Sequence, residues 1–398
     1  MDWRSKLNID RVFTLRYGGT QLFFGVGAVS KISTIFEEFK KEGLDRVLVV
    51  TGKSSYKISG AWNYVEKALI ESGLEYYVYD KVSPNPTVDT VDEAVKIGRE
   101  FNARIVLGIG GGSSIDTAKA VGCLLAVGGD ARELFMKRDQ PNRSLPVVVV
   151  NLTHGTGSEI NRYGVETIPE KNYKIGMPLT YPAYSIDDPK LMIKLDRWQT
   201  IATAIDALNH ATEAATNKLT TPLSINLSRE SVHLIFKYLP TAIVEPDNLL
   251  ARYYLLYASM LAGIVIDHVG AHITHALEHP ISGMNPEVPH GIGLGILLPS
   301  VIRIMYLAVP EILAELYKPI APHLRAEPGE AHELATRVEE WLLNIGLNKK
   351  LSDYGFTEKD LSDLIRLVNE TPGLKSRLEL SPVTVNEEII KKIYTESL

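Results

Sequence analysis

The stretch Ile105-Val106-Leu107-Gly108-Ile109-Gly110-Gly111-Gly112-Ser113-Ser114-Ile115-Asp116 decides the fold. A β-branched run ends in three consecutive glycines, and an amphipathic segment, Ile115 to Val127, starts directly after two serines. Strand, tight turn and helix in that order make one βα unit. Glycines leave successive backbone N–H groups bare, and the start of the helix adds the positive end of its dipole. The turn therefore predicts a pyrophosphate cradle built from Gly110, Gly111, Gly112, Ser113 and Ser114, with Ser113 or Ser114 as the helix cap. Its pattern is not GxGxxG.

Outward from this turn the same alternation continues. Arg46 to Thr51, Arg104 to Ile109 and Pro146 to Val150 read as strands, while Ser59 to Ser72 and Val88 to Glu100 read as helices. A doubly wound, Rossmann-like α/β domain with a parallel sheet follows. A second glycine-rich turn, Asn151-Leu152-Thr153-His154-Gly155-Thr156-Gly157-Ser158-Glu159, ends the third of these strands. Both turns lie at carboxyl ends of strands, the edge where open α/β sheets hold their ligands.

From about Asp196 strand-like runs nearly vanish and helical periodicity takes over. A chain of 398 residues exceeds the size at which one hydrophobic core stops growing. The expected division is a dinucleotide-binding α/β domain over 1–194 and an all-α metal-binding domain over 195–398. Pro169 to Pro189, rich in proline and tyrosine with an extended stretch at Tyr184 to Ile186, reads as the connection.

The net charge of −6 supplies no basic field for a phosphate backbone or an anionic membrane surface, which excludes nucleic acid and membrane partners. A single cysteine, Cys123, excludes a disulfide framework and a thiolate metal cluster. The start Met1-Asp2-Trp3-Arg4 is charged and lacks the apolar core of a secretory signal, so a cytoplasmic enzyme is expected. The longest apolar run, Tyr253 to Ile266, is too short to span a bilayer comfortably and reads as a buried helix.

Five of the ten histidines fall between His268 and His290. His268, His272, His275 and His279 recur at spacings of four, three and four, which on one helix share a face. His290, between Pro289 and Gly291, is expected to return to them through a loop. Upstream, Asp206 and His210 stand four apart, a spacing at which a carboxylate and an imidazole can grip one ion. Together with two of the later histidines they predict a nitrogen- and oxygen-ligated site suited to iron(II), zinc, nickel or cobalt rather than magnesium or calcium. Glu213 and Glu278 flank the cluster and are expected to fix imidazole tautomers. His233, His323 and His332 stand without companions and are assigned no chemistry.

Two long motifs, Gly110 to Ala120 and His275-Ala276-Leu277-Glu278-His279-Pro280 through Pro289-His290-Gly291, resemble the cofactor and metal signatures of the iron-containing (group III) alcohol dehydrogenases. The similarity runs from about Phe24 to Pro299 and includes Ser83-Pro84-Asn85-Pro86-Thr87 and Thr153 to Glu159. The resemblance implies an architecture shared with dehydroquinate synthase. It implies that Asp206, His210, His275 and His290 bind the metal, iron(II) or alternatively zinc or another divalent transition metal, and that His279 lines the catalytic pocket. It implies that Asn85, Gly111, Gly112, Ser113, Thr153, Thr156 and Lys174 contact the dinucleotide. The expected reaction is hydride transfer between a primary alcohol or aldehyde and nicotinamide, with His279, or His272 beside it, relaying the proton. A homodimer or larger homo-oligomer is also implied.

Departures from the family carry expectations of their own. Thr51-Gly52-Lys53-Ser54-Ser55 lacks the aspartate that NAD-preferring relatives often place after this strand. Gly52 leaves room and Lys53 and Ser54 offer charge and hydrogen bonds, so NADP is expected over NAD, with NAD as the alternative. His154 and His272 stand where small residues are common, which predicts a tighter or more polar pocket. Two rivals remain: a lyase or cyclase like dehydroquinate synthase, which needs a Lys and Arg cluster that does not surround the histidines in sequence, and a non-catalytic metal- or nucleotide-binding protein. The last hundred residues read as closing helices with no chemical motif.

Overall fold

The computed structural model describes residues 8–398, and the charged start Met1 to Arg4 lies outside them. The strands are β1 (Phe13–Tyr17), β2 (Thr20–Phe24), β3 (Arg46–Gly52), β4 (Glu75–Val82), β5 (Ile105–Gly110), β6 (Val147–Asn151), β7 (Tyr163–Ile168), β8 (Tyr173–Pro178) and β9 (Tyr184–Asp187). Between them lie α1 (Lys31–Lys41), α2 (Ser55–Ile58), α3 (Ala61–Glu71), α4 (Val88–Phe101), α5 (Gly112–Val127) and α6 (Ala131–Lys137). After β9 come α7 (Arg197–Thr216), α8 (Pro222–Val244), α9 (Leu249–Val269), α10 (Ile273–Met284), α11 (His290–Tyr306), α12 (Pro310–Leu316), α13 (Ala331–Ile345), α14 (Leu361–Glu370), α15 (Leu374–Glu379) and α16 (Glu387–Ser397). Among the described residues no strand follows β9, so the change of character read near Asp196 is real.

Seven strands form one sheet in the order β1-β2-β9-β6-β5-β3-β4, parallel throughout except for the antiparallel β1–β2 hairpin. β5 and β6 are buried along their whole length, as expected of parallel strands covered on both faces. Alternate residues of β3 go to opposite sides: Val47 and Val49 pack with Ile32, Phe36, Val65 and Leu69 of α1 and α3, while Leu48 and Val50 pack with Val91, Val95, Val121 and Leu124 of α4 and α5. Gly110 pairs with Asn151, which sets the two glycine-rich turns side by side at the carboxyl edge.

Two expectations need correction. Pro169 to Pro189 is no mere connection: β8 pairs with β7 as a separate two-stranded flap, and the extended stretch read at Tyr184 to Ile186 is β9, which inserts between β2 and β6. The prolines punctuate these strands instead of replacing them. The helix read over Ser59 to Ser72 is α3, which begins after Gly60 (φ +83°), and the short α2 precedes it. Ser113 and Ser114 do not cap α5, which starts at Gly112 with Gly111 as its N-cap and no side-chain hydrogen bond there.

The helical half has its own core, and the hairpin joins it through Phe24, whose ring meets Tyr253 edge-on at 5.0 Å. α9 is long and apolar enough to cross a membrane, yet 78% of its apolar window is buried inside the molecule, as expected of a core helix.

Candidate active site

α7 begins at a cap where the Asp196 side chain accepts from Gln199 N at 2.8 Å, and it carries Asp206 and His210 one turn apart. α10 supplies His275. The chain then leaves the helix at Asn285 and re-enters at Pro289, so that His290 is the first residue of α11. Three imidazole Nε2 atoms converge on Asp206 Oδ1: His210 at 3.5 Å, His275 at 3.6 Å and His290 at 3.9 Å. The His210 and His275 rings stack at 4.4 Å. Asp206 Oδ1 and His275 Nε2 are buried without a hydrogen-bond partner among the described residues, which in a low-dielectric site is costly unless something else engages them. One carboxylate oxygen and three imidazole nitrogens, with no thiolate, fit iron(II) or zinc.

In two of the three rings the opposite nitrogen is held by a carboxylate. His275 Nδ1 meets Glu213 and His290 Nδ1 meets Glu278, the arrangement expected of groups that fix the tautomer. Glu213 also accepts from the backbone N–H groups of His272, Thr274 and His275, and so seats the start of α10. Burial alone would raise the Asp206 and Glu213 carboxyls. The surrounding histidines outweigh it, holding Asp206 well below the usual carboxylate range and Glu213 down to about 2.

The four-histidine stripe is broken. Gly270 (φ +84°) ends α9, so His268 belongs to a different helix and reaches Thr221 on the exposed side at 3.4 Å. His272 is fully buried at the N-cap of α10, with Nε2 3.0 Å from Thr216 Oγ1. Only His275 and His279 share one helix. His279 Nδ1 donates to the Lys174 carbonyl at 2.9 Å, and its ring lies 5.6 Å from that of His290. Burial, then the nearby Arg377 and Lys174, hold His279 well below the ordinary imidazole range, so it is neutral.

At the sheet edge the glycines have a structural reason beyond ligand approach. A Cβ on Gly111 would lie 2.8 Å from Thr153, and one on Gly112 only 2.4 Å from Thr156, so the two turns interlock through these positions. The first turn of α5 has no side-chain cap hydrogen bond, which leaves its N–H groups available to a ligand. Lys53 and Ser54 are exposed beyond β3, where Gly52 ends the strand. Asn85 and Lys174 are engaged with protein: Lys174 Nζ donates to Asn85 Oδ1 and Ser282 Oγ, both at 2.9 Å, and stands 3.8 Å from Glu278, while Asn85 Nδ2 donates to Pro286 O at 2.9 Å. They tie the β7–β8 flap to α10 and to the loop before α11.

The sequence reading missed one contributor. Arg377, on α15, lies against Gly176 of the flap, with Nη2 only 2.5 Å from where a Cβ on that glycine would sit, and its charge reaches His279. The last hundred residues thus bring a cation toward the histidines, which no local motif announces.

Comparison with known proteins agrees with this geometry. Residues 19–189 match the family described as iron-containing alcohol dehydrogenase, and residues 200–398 match its Fe-containing C-terminal family. The chain is 53% identical over 398 residues to the long-chain primary alcohol dehydrogenase of Thermoanaerobacter ethanolicus, covering 99% of this chain and 100% of that one. It is 30% identical to the NAD-dependent methanol dehydrogenase of Bacillus methanolicus, covering 92% and 96%. The crystal structure of NADH-dependent butanol dehydrogenase A of Thermotoga maritima superposes with a TM-score of 0.88 at 27% identity, covering 96% and 98%. The chain belongs to the iron-containing alcohol dehydrogenase family and is a metal-dependent alcohol dehydrogenase that works with a nicotinamide cofactor.

Proposed function

We propose that the protein interconverts primary alcohols and aldehydes with NADP as the preferred dinucleotide, at a metal held by Asp206, His210, His275 and His290. The observation that carries the site assignment is the convergence of three Nε2 atoms on one orphaned, buried carboxylate oxygen. The bound ion supplies Lewis acidity toward the alcohol or aldehyde oxygen. Glu213 and Glu278 hold Nδ1 of His275 and His290 and so turn the Nε2 of each toward one point. His279, with its Nδ1 proton committed to the Lys174 carbonyl, has Nε2 free to accept or return a proton from the cleft. His272 has no such freedom, since its ring is enclosed by Thr216 and Glu213.

The primary-alcohol class rests on the likeness to the Thermoanaerobacter enzyme. The NADP preference rests on the absence of a carboxylate at residues 52–55 together with the exposed Lys53 and Ser54, a setting that accommodates a 2′-phosphate. The first turn of α5, with Ser113 and Ser114 in it, and the interlocked Thr153 and Thr156 form the floor for the pyrophosphate. The test is anaerobic purification, removal of metal with chelator, and separate reloading with iron(II) and zinc, following NADPH absorbance with a panel of aldehydes and alcohols. Metal-restored turnover favouring primary substrates supports the reading. Stoichiometric metal binding without turnover on any substrate overturns it.

A further inference from the structure

His154 stands where the family commonly has a small residue, a departure that predicts a tighter or more polar pocket. It does not line one: it is fully buried and both ring nitrogens are used inside the protein. Nε2 lies 3.2 Å from Arg252 Nη1 on α9, and Nδ1 lies 3.2 Å from Thr203 Oγ1 on α7. A guanidinium can only donate, so Nε2 accepts and the ring proton sits on Nδ1. That proton goes to the Thr203 hydroxyl, whose own proton goes to the Gln199 carbonyl at 2.8 Å. The result is a one-way chain from Arg252 through His154 to α7.

Arg252 is itself fully buried, and among the described residues its other donors reach neutral acceptors: Thr200 Oγ1 at 2.8 Å, Pro246 O at 2.9 Å and Leu195 O at 3.4 Å. The backbone beside His154 is pressed onto the same helices. A Cβ on Gly155 would lie 2.8 Å from Thr203 O, and one on Gly157 would lie 2.3 Å from Gly263 Cα of α9. The turn is therefore two-sided: Thr153 and Thr156 fill the space above Gly111 and Gly112, while His154, Gly155 and Gly157 face α7 and α9. Thr203 stands one helical turn before Asp206.

We propose that His154 is a positioning residue, latching the dinucleotide turn to the helix that carries Asp206 and His210, so that occupancy of the nucleotide cradle and of the metal cage are energetically coupled. This rests on the site assignment above. The neutral ring that the latch needs agrees with burial and then Arg252 pushing His154 down to about 3. By linkage, metal must tighten dinucleotide binding by the same factor as dinucleotide tightens metal binding.

The coupling is read by titrating NADPH, followed by fluorescence, into metal-stripped and zinc-loaded enzyme, and by chelator competition for zinc with and without NADPH. Wild-type enzyme is expected to show a coupling factor of roughly fivefold or more in both directions, within the usual range for linked sites. In His154→Ala, and in Thr203→Val, which leaves the Arg252 contact in place, the factor is expected to fall below about twofold while each ligand still binds alone. His154→Gln, whose amide oxygen can accept from Arg252 while its nitrogen donates to Thr203, should restore most of it. A wild type that binds neither zinc nor NADPH defeats the site assignment. A wild type that binds both with no coupling, or variants that lose stability while the factor is unchanged, overturns the latch and leaves the site assignment standing.

Discussion

His275 Nδ1 is held by the Glu213 carboxylate, and that single contact decides which ring nitrogen is left for an ion. Because Glu213 also receives three backbone N–H groups at the start of α10, it fixes both the ring and the helix that carries it. Glu213→Gln is expected to weaken metal binding about ten- to a hundredfold, as loss of such partners commonly does. Chelator competition, with circular dichroism to confirm the fold, measures this. An unchanged metal affinity would remove Glu213 from the role.

His279 stands beside the cage with one nitrogen committed to the Lys174 carbonyl. His279→Ala should keep full metal content but lower kcat by a factor on the order of a hundred, the scale of a lost proton-transfer group, and flatten one limb of the pH profile. Metal analysis and kcat against pH separate this from a ligand role. A variant that loses its metal would make His279 a ligand instead.

Lys53 is exposed beyond β3 with no carboxylate at residues 52–55. Lys53→Asp is expected to lower kcat/KM for NADPH tenfold or more and to leave NADH nearly unaffected. Wild-type enzyme that already works equally well or better with NADH defeats the cofactor preference outright.

Gly112 leaves no room for a methyl group because Thr156 occupies that space. Gly112→Ala should weaken dinucleotide binding severalfold, and adding Thr156→Ala should recover part of the loss, since residues in direct contact are not additive. Simple addition of the two effects in a binding titration would show that the turns do not interlock.

His154 gives a stability signature of definite sign. Burial and then Arg252 push its folded-state pKa down to about 3, below the ordinary imidazole value of 6.5 that the unfolded chain retains. Between those values the unfolded chain holds the extra proton, so the stabilising contribution is complete above about pH 6.5 and is lost as pH falls toward 3, by at most about 1.4 kcal/mol per pH unit. Urea unfolding of wild type and His154→Gln at pH 7.5, 6 and 5 should show the difference between them shifting against wild type as pH falls. A constant difference contradicts a neutral buried imidazole.

Much of this was legible locally. The glycines at 110–112 and the valine run at 147–150 stand where strand ends and turns were read, because a parallel strand and its following turn are written in adjacent residues. Glu213 and Glu278 were recognisable as candidate imidazole partners because they flank the cluster, although the rings they hold, His275 and His290, lie 62 and 12 residues away in the chain. What stayed hidden depended on distant packing. Gly270 interrupts a histidine period that is regular in sequence, and nothing before it signals the break. The extended stretch read at Tyr184 to Ile186 is β9, but its place between β2 and β6 depends on pairing with distant strands and was not legible locally. Arg377 comes near the histidines from about a hundred residues away through the packing of α15, and His154 found its partners on helices fifty and a hundred residues downstream.

The position of β9 has a consequence for how the molecule is made. The hairpin at the beginning of the chain finds its neighbour in the sheet only through a strand that ends at Asp187, so during synthesis β2 waits through some 160 residues with one ladder edge open. β6 waits as well, for a shorter time. Closing so long a loop is slow, and open strand edges invite pairing with other chains. A nascent chain halted before residue 184 therefore carries two unsatisfied edges where the finished sheet has its middle, and chaperone occupancy on ribosome-bound intermediates should drop sharply once β9 has emerged.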